Sequence, residues 1–282
     1  MIAVLGGLIA ALAWGLATVA AARASRVIGA WAATGWVVFV GLMVTIPLLL
    51  LETPADEVEV ADIAWLVLAG LGYLVGLVFG YAALAGGKIP VTAPIISTEG
   101  AIAAMLAVLG GEPAAPPLLL LLGLVTAGIF VVALRPGGGL DALAGNGARY
   151  VGFALIAALV FGVGLYAAGR ASSSVPASWV VASGRVAGVM LLTLPLLLTR
   201  RLRFERAMLP YLIFAGVAEV IGVYAFAWGA RDSIAVTAVL ASQFALVAAL
   251  IAHALGERIS GRQWLGVATV VFGVTAITLS RL

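Results

Sequence analysis

The sequence predicts an all-α membrane protein with ten transmembrane helices, arranged as two inverted five-helix repeats. Three observations support this prediction. Of the 282 residues, 64% are hydrophobic and only 10% are charged, whereas a soluble domain carries about 25% charged residues. Apolar runs of about 20 residues, the length that spans a bilayer, follow one another along the whole chain. The second half of the chain also resembles the first half.

Short polar breaks separate the ten apolar runs. The predicted spans are residues 2–22, 30–50, 62–85, 90–109, 115–134, 150–170, 176–198, 208–230, 233–253 and 263–280. The longest break, 135–148, is rich in glycine, which favours a loop. We therefore interpret 1–134 as the first repeat, 135–148 as a linker loop and 149–282 as the second repeat.

Short sequence matches at a nearly constant spacing indicate the repeat. Ala11-Leu-Ala-Trp-Gly15 matches Ala158-Leu-Val-Phe-Gly162 at a spacing of 147 residues, and Gly111-Glu112 matches Gly256-Glu257 at a spacing of 145. Because each repeat contains an odd number of spans, the second must cross the membrane in the opposite sense to the first. Inverted repeats are typical of secondary transporters, whose substrate site lies near the bilayer midplane between the repeats.

Arginine and lysine in the connecting loops predict the orientation of the chain. The loops after odd-numbered spans hold Arg23, Arg26, Lys88, Arg135, Arg149, Arg200, Arg201, Arg203, Arg206, Arg258 and Arg262, whereas the opposite side holds Arg170, Arg231 and Arg281. Short cytoplasmic loops are enriched in basic residues. We therefore expect a multi-pass protein of the bacterial cytoplasmic (inner) membrane with both termini periplasmic. The net charge of +3 then reflects orientation and membrane lipid, not binding of nucleic acid.

Three charged residues, Glu99, Arg185 and Glu219, lie in the middle of predicted spans. A charge at that depth costs about 2.5–3.5 kcal/mol on insertion scales, so it indicates a functional site. The repeat alignment pairs Glu99 with Phe244 and Glu219 with Gly76, so these charges break the symmetry, as a site for an asymmetric solute would. A structural ion pair between Arg185 and either acid is an equal alternative. A carboxylate left unpaired would be able to take up a proton as coupling ion.

Polar side chains on the fourth and ninth spans offer matching faces from the two repeats. The candidates for cavity lining there are Thr92, Ser97, Thr98, Thr237, Ser242 and Gln243. Prolines in the fourth span free backbone carbonyl groups, which are tolerated in a membrane only where they face protein or a cavity. Hydrogen bonding between helices, which Ser and Thr commonly provide in membranes, is an equal alternative.

Aromatic residues form a second set of cavity candidates, namely Trp14, Tyr73, Tyr81, Tyr224 and Trp228. Belts at the two membrane surfaces account for many Trp and Tyr residues of membrane proteins, and Trp14 and Tyr73 lie deepest within their spans. An aromatic cavity with few charges suits a zwitterion with an apolar side chain, or a lipophilic cation.

The residues that enzymes use for chemistry are scarce. The chain has no cysteine and a single histidine, His253, which excludes thiolate sites and disulfides and leaves no histidine cluster for a metal. An intramembrane enzyme would need a catalytic constellation such as paired Asp residues or a Ser–His arrangement, and none is present in the spans. We therefore predict no enzyme activity and no metal site, and keep an intramembrane enzyme or a structural membrane protein as alternatives of another class.

The segment Leu255-Gly-Glu-Arg-Ile-Ser-Gly-Arg-Gln-Trp-Leu-Gly266, followed by Gly273, resembles a family pattern. A Gly-Glu that ends one span, followed by a Trp-Leu-Gly that opens the next, is similar to the EamA-type, ten-span branch of the drug/metabolite transporter superfamily. The first half carries a weaker version at Gly111-Glu112 and Gly123. The resemblance covers essentially the whole chain.

The resemblance implies two EamA-type repeats, an export carrier and no bound cofactor. Members of the superfamily move amino acids, nucleotide sugars, triose phosphates and drugs, and bacterial amino-acid exporters look most similar. We therefore expect a secondary transporter that exports small metabolites, most of all apolar or aromatic amino acids, by alternating access through a cavity between the repeats. A multidrug or lipophilic-cation exporter is the alternative. A cavity that contained Glu99 and Glu219 but not Arg185 would favour it.

Overall fold

The computed structural model describes residues 1–52, 57–87, 89–113 and 147–254, with isolated positions at 116, 120, 123, 124, 269 and 272. Eight helices in this part of the chain are long and apolar enough to cross a membrane. They correspond to the first four predicted spans of each repeat, which confirms an all-α membrane protein. The predicted spans 115–134 and 263–280, and the linker, lie outside the described residues apart from those isolated positions.

The helices of the first repeat are α1 (Ile2–Ile28), α2 (Ala30–Leu51), α3 (Val60–Gly86), α4 (Ile89–Ile96) and α5 (Glu99–Leu109). Those of the second are α6 (Gly147–Ser172), α7 (Ala177–Gly188), α8 (Leu194–Leu198), α9 (Leu209–Ala230), α10 (Ile234–Ala241) and α11 (Phe244–Ala254). A π-helical turn, Val189–Thr193, joins α7 to α8 in one span.

The fourth and ninth spans are interrupted at equivalent places. The Ser97 hydroxyl donates to the Pro94 carbonyl, and the Ser242 hydroxyl donates to the Val239 carbonyl, each at 2.8 Å. Such bonds to the carbonyl one turn earlier compete with the helix ladder and bend membrane helices. As a result α5 begins at Glu99 and α11 at Phe244, which places these two repeat counterparts at equivalent bends.

The same close contact between helices occurs twice, with the roles of the two repeats exchanged, as an inverted repeat requires. A methyl group on Gly15 would lie 2.5 Å from Cβ of Val247, and one on Gly162 would lie 2.6 Å from Cβ of Ile102. Gly15 and Gly162 are repeat mates, and so are Val247 and Ile102. Small residues of this kind let membrane helices approach closely. Consequently α1 packs against α9, α10 and α11 of the other repeat, and α6 packs against α3, α4 and α5.

Polar contacts join the repeats at the end of the bundle where Met1 lies, here called the Met1 end. Glu112 accepts hydrogen bonds from the backbone of Ile234 at 3.1 Å and of Ala235 at 3.3 Å, and so caps α10. Asp232 accepts from the backbone of Ala3 at 3.1 Å. Carboxylates suit helix N-termini, where unpaired N–H groups and the helix dipole meet.

The opposite end, where Gly29 connects α1 to α2, is here called the Gly29 end. There the indole N–H of Trp36 donates to the Arg203 carbonyl at 2.9 Å, and the Thr193 hydroxyl donates to the Gly35 carbonyl at 2.9 Å. Polar contacts between the repeats therefore exist at both ends of the bundle, and the middle holds the cavity described next.

Candidate functional site

A central cavity lies between helices of both repeats, with a volume of about 830 Å³ counted out to its open mouth. Six of the fourteen predicted site residues line it: Trp14, Tyr73, Tyr81, Glu99, Arg185 and Glu219. Most of the remaining wall is apolar, and includes Phe161, Phe226 and Phe244. All three intramembrane charges thus face one largely apolar cavity.

Arg185, on α7, is completely buried and forms one side of this cavity. Its Nη1 group donates a hydrogen bond to the Tyr73 hydroxyl, and its guanidinium carbon lies 4.3 Å from the centre of the Tyr73 ring. Its Nε and Nη2 groups have no hydrogen-bond partner among the described residues, and neither has the indole N–H of Trp14. Arg185 and Trp14, which both line the cavity, therefore contain three buried N–H-bearing nitrogens without a described partner, two of them on a cation.

Tyr73 connects Arg185 to Glu219. The Tyr73 hydroxyl donates to the Glu219 carboxylate at 2.9 Å, and no carboxylate within the described ranges lies within 4.0 Å of the Arg185 guanidinium. Arg185 and Glu219 therefore do not form the direct ion pair that was one alternative. The Tyr73 hydroxyl lies between them and contacts both. Buried charges need such compensation, because each loses several kcal/mol of hydration on leaving water.

Glu99 is the second acid of the cavity and is buried, with 4% of its surface exposed. It lies close enough to Glu219 for the two carboxyl groups to interact electrostatically. No described residue donates a hydrogen bond to its carboxyl group. As the first residue of α5, Glu99 lies at a helix N-terminus, where the dipole favours a negative charge. Glu99 is thus a carboxyl group without a cation of its own among the described residues.

Glycines make room for the side chains of the site. A methyl group on Gly41 would lie 2.8 Å from Nε of Arg185, and one on Gly184 would lie 2.7 Å from Cδ1 of Tyr73. Sequence reasoning missed both glycines, because a glycine in a membrane helix is ordinary and only the opposing helix reveals what it faces. The close approach of α2 to α7 at Gly41 fixes where the guanidinium lies.

The glycines also correct the repeat alignment on the third helix of each repeat. Gly76 faces the Phe161 ring and Gly222 faces the Trp14 ring, and Trp14 and Phe161 are mates. Gly76 and Gly222 are therefore equivalent, at a spacing of 146. The sequence alignment that paired Glu219 with Gly76 was wrong by three residues, close to one helical turn. At the corrected spacing the mate of Glu219 is Tyr73, its own hydrogen-bond partner.

The six polar candidates on the fourth and ninth spans are buried or half-buried but are not among the described residues that line the cavity. Ser97, Thr98, Ser242 and Gln243 each donate a hydrogen bond of 2.8 Å to a backbone carbonyl three or four residues earlier. Thr237 donates to the carbonyl of Ser233 at 2.7 Å and to that of Ala3 at 3.3 Å. Thr92 is also buried. These contacts bend helices or join them.

Tyr224 and Trp228, on α9, also lie away from the described cavity wall. Trp228 is half-buried. Tyr224 donates a hydrogen bond to Glu52, which lies in the break between the predicted second and third spans. Glu52 also accepts from the backbone and the hydroxyl of Ser178, at 3.2 Å and 2.6 Å. The Glu52 carboxylate therefore joins the end of α2 to α7 and α9 at the Met1 end.

The Glu52 carboxyl group is outside the membrane-spanning segments and is partly buried. Burial raises its pKa, but the hydrogen bonds from Ser178 and Tyr224, together with the positive charge of Arg231, outweigh burial and hold the pKa below the usual value of 4.5. These interactions favour the ionised form, so the Met1 end is held together by a carboxylate that stays charged at neutral pH.

Comparison with known proteins supports the fold and indicates a family. A model of the EamA-like transporter family matches residues 1–134 and 148–279. A solved structure titled "Crystal structure of protein" is similar over 98% of this chain and 96% of its own, with 22% sequence identity and a TM-score of 0.77. A comparison with curated proteins found no match. In the described part of the chain, no group of three or more His, Cys, Asp or Glu residues is placed to hold a metal ion.

Proposed function

This chain belongs to the EamA-like transporter family, and we propose that it is a secondary carrier that exports small metabolites, chiefly amino acids with apolar or aromatic side chains. One observation carries the proposal. Arg185, with two N–H-bearing nitrogens that lack a described partner, and Glu99, with no cation of its own in the described part of the chain, line the same largely apolar cavity. The charges of an amino acid match this arrangement.

The proposed contacts follow from the charges of the two partners. The carboxylate of the substrate accepts hydrogen bonds from the Arg185 guanidinium, whose Nη2 group has no described hydrogen-bond partner. Its ammonium group lies against Glu99. Hydrogen bonds between charged groups are about twice as strong as neutral ones, and Tyr73, Tyr81 and Phe161 then surround an apolar or aromatic side chain.

A multidrug or lipophilic-cation exporter is the second candidate within transport. Two acids in an aromatic cavity favour it, since cations are attracted both to carboxylates and to aromatic faces. Arg185 in the cavity wall disfavours it, because a fully buried guanidinium repels a cationic ligand at the distances available in a cavity of this size. We therefore rank it below the zwitterion.

The proposed mechanism is alternating access. Rocking of the repeats would open the cavity to one membrane surface at a time around a fixed midplane site. The contacts of Glu52 with Ser178 and Tyr224 join the two repeats at the Met1 end and would have to separate for that end to open. Glu99, which has no described hydrogen-bond partner, is the proposed acceptor of a coupling proton, because unpaired intramembrane carboxyl groups act in proton relays.

The proposed location is the cytoplasmic membrane of a bacterium, with the Met1 end periplasmic. Among the described residues, the loops and helix ends at the Gly29 end contain most of the arginines, including Arg200, Arg201 and Arg203. Basic residues in short loops mark the cytoplasmic side. Export is then movement from the Gly29 end to the Met1 end.

Counterflow into liposomes tests the substrate class. Proteoliposomes loaded with unlabelled phenylalanine, leucine or tetraphenylphosphonium would be diluted into the corresponding labelled compound, with empty liposomes as control. We expect accumulation of labelled phenylalanine or leucine, and none for phenylalanine amide, which keeps the ammonium group but lacks the carboxylate. Accumulation of tetraphenylphosphonium in place of the amino acids would establish the second candidate. Counterflow of neither class would refute both.

A further inference from the structure

A second cavity lies at the Gly29 end, where the beginning of α2, the end of α3 and the beginning of α6 meet. Its volume is about 720 Å³ counted out to its open mouth. Its lining includes Ala30, Ala82, Ala85, Phe79 and Phe153, and the ring centres of the two phenylalanines lie 5.6 Å apart. Among the described residues it shares no lining residue with the central cavity. This second cavity is here called the Gly29-end groove.

The groove extends from the membrane surface into the apolar layer. Trp31 is the second residue of α2 and is 60% exposed, and Ala85 is the penultimate residue of α3. Val78, at the deep end, is seven residues before Ala85 on the same helix, which corresponds to about 10 Å along its axis. A ligand in this groove therefore has one part at the level of the lipid headgroups and another part among the acyl chains.

Arg149 stands at the rim of the groove and provides its charge. Its guanidinium carbon lies 5.2 Å from the centre of the Phe153 ring, and its side chain is exposed. Within the described ranges, no carboxylate lies within 4.0 Å of it. The guanidinium is therefore held beside the mouth of the groove by an aromatic ring and is open to an anion.

We propose that the Gly29-end groove binds one anionic phospholipid, with the phosphate on Arg149 and an acyl chain along its apolar lining. An apolar groove alone would accept any lipid, and an exposed arginine alone would accept any anion. Their combination selects a molecule that carries both a phosphate and an acyl chain. Basic pockets between membrane helices at a cytoplasmic surface favour anionic headgroups, by about fivefold for each basic residue near the surface.

The bound lipid would contact helices of both repeats. It would bridge α2 and α3 of the first repeat and α6 of the second, at the end opposite the Glu52 contacts. Alternating access moves these helices relative to one another. A lipid bound here would therefore contact both moving parts of the protein. Because this inference concerns a different cavity, its success or failure does not depend on the transported substrate.

The test is the lipid composition that stays with the purified protein. The full chain would be placed in nanodiscs with equal amounts of phosphatidylglycerol and phosphatidylcholine, released gently, and the lipids still bound counted by native mass spectrometry. We expect one phosphatidylglycerol retained in preference to phosphatidylcholine. Arg149→Gln should lower this preference about fivefold, and Arg149→Lys should largely keep it because a charge remains.

Two variants separate the groove from general surface charge. Arg170→Gln is the matched control, because Arg170 is also exposed and also lies over an aromatic ring, at 5.7 Å from that of Trp65, but at the Met1 end. It should leave the preference unchanged. Ala82→Leu, which enlarges a side chain that lines the groove without changing charge, should reduce retention of the lipid itself. An unchanged preference in Arg149→Gln, or an equal loss in Arg170→Gln, would overturn the proposal.

A further comparison excludes a soluble anion as the ligand. Inorganic phosphate added at millimolar concentration should not displace the retained phosphatidylglycerol, because it lacks the acyl chain that fills the groove. Displacement by phosphate alone would show that Arg149 binds anions without the groove, and would also overturn the proposal.

Discussion

The Tyr73 hydroxyl donates a 2.9 Å hydrogen bond to the Glu219 carboxylate, and the two residues occupy equivalent positions in the two repeats. A contact between repeat mates lies on the pseudo-two-fold axis that relates them, as a self-complementary contact does in a symmetric dimer. Here the axis passes through the cavity, because Tyr73 and Glu219 both line it. The repeat that builds the scaffold thus places an acid and its phenol partner at the centre of the site.

Tyr73→Phe should impair transport more than it impairs folding. The change removes the hydroxyl that links Arg185 to Glu219 and keeps the ring. Without this hydroxyl, Arg185 and Glu219 are no longer held in position, and misplaced binding groups should lower substrate affinity by about 10-fold. Counterflow kinetics would measure the loss. Tyr211→Phe is the control, because it also removes a hydroxyl from a ring that lies under an arginine, Arg23, but at the Gly29 end. Wild-type affinity in Tyr73→Phe would show that the bridge is not part of the site.

Gly41→Ala should weaken substrate binding without changing any charge. The added methyl group would lie 2.8 Å from Nε and 2.9 Å from Cδ of Arg185, so the guanidinium must move. A displaced charge should raise the substrate Kd by about 10-fold, as misplaced binding groups generally do. Gly80→Ala is the control, since its methyl group would meet its nearest neighbour at an ordinary 3.5 Å, also at the cavity wall. Equal effects of the two substitutions would refute a positioning role for Gly41.

Glu99→Gln should uncouple transport from the proton gradient. The amide is similar in size but cannot carry a proton between the two sides, so uptake driven by a pH gradient should be lost. Exchange of labelled for unlabelled substrate should continue at a higher substrate concentration, because the amide still contacts the ammonium group but no longer attracts its charge. Uptake and counterflow in the same vesicles would separate the two activities. Glu205→Gln, at an exposed position before the Arg206–Met208 turn, is the control. Unchanged pH dependence in Glu99→Gln would refute Glu99 as the coupling residue.

Acid should weaken the Met1 end through Glu52. Because its folded-state pKa lies below 4.5, ionised Glu52 contributes stability that is fully present above pH 4.5 and is lost as the pH falls through the lowered folded-state pKa. Glu52→Gln should therefore lower Tm by about 2–4 °C at pH 7 and by less below pH 4. Thermal unfolding in detergent between pH 3 and pH 7 measures both, and Glu57→Gln, at an exposed position, is the control. An identical Tm difference at all pH values would contradict this role.

Cysteine labelling should reveal the orientation directly, because the chain contains no cysteine. Ser174→Cys lies at the exposed turn before α7 at the Met1 end, and Glu205→Cys lies at an exposed position at the Gly29 end. With the Met1 end periplasmic, a membrane-impermeant maleimide added to intact spheroplasts should label Ser174→Cys at once and Glu205→Cys only after permeabilisation. The reverse pattern would place the basic Gly29 end outside.

Local features of the sequence were sufficient for the spans and for the three buried charges. A helix needs about 20 apolar residues to cross a bilayer, and each charge at that depth is costly, so both signals are present in the linear order of residues. Seven of the eight described spans begin and end within three residues of the prediction, whereas the first was predicted to end at residue 22 and continues to Ile28. Arg23 and Arg26, which were assigned to the first loop, therefore lie in the last turns of α1. Glu99, Arg185 and Glu219 were selected by depth alone, and all three line one cavity.

The partners of those residues depended on the tertiary structure. The polar candidates Ser97 and Gln243 satisfy their own helix backbones, because a side chain one turn from a carbonyl reaches it more readily than it reaches a distant cavity. Glu52 looked like a loop acid until the folded chain brought Ser178 and Tyr224 to it. Neither outcome can be predicted from hydropathy, which indicates how deep a residue lies in the membrane but not which neighbour its side chain contacts.

By itself, the sequence determined a membrane-embedded inverted repeat and the identity of its costly charges, since burial in lipid acts on each residue through its own chemistry. Only the packing of the helices decided that Tyr73 separates Arg185 from Glu219, that Gly41 leaves room for the guanidinium, and that the repeats align at a spacing of 146 on their third helices. These are contacts between residues more than 100 positions apart, and they arise where two helix faces meet. The helix period fixes which residues share a face, but not which face of another helix lies opposite.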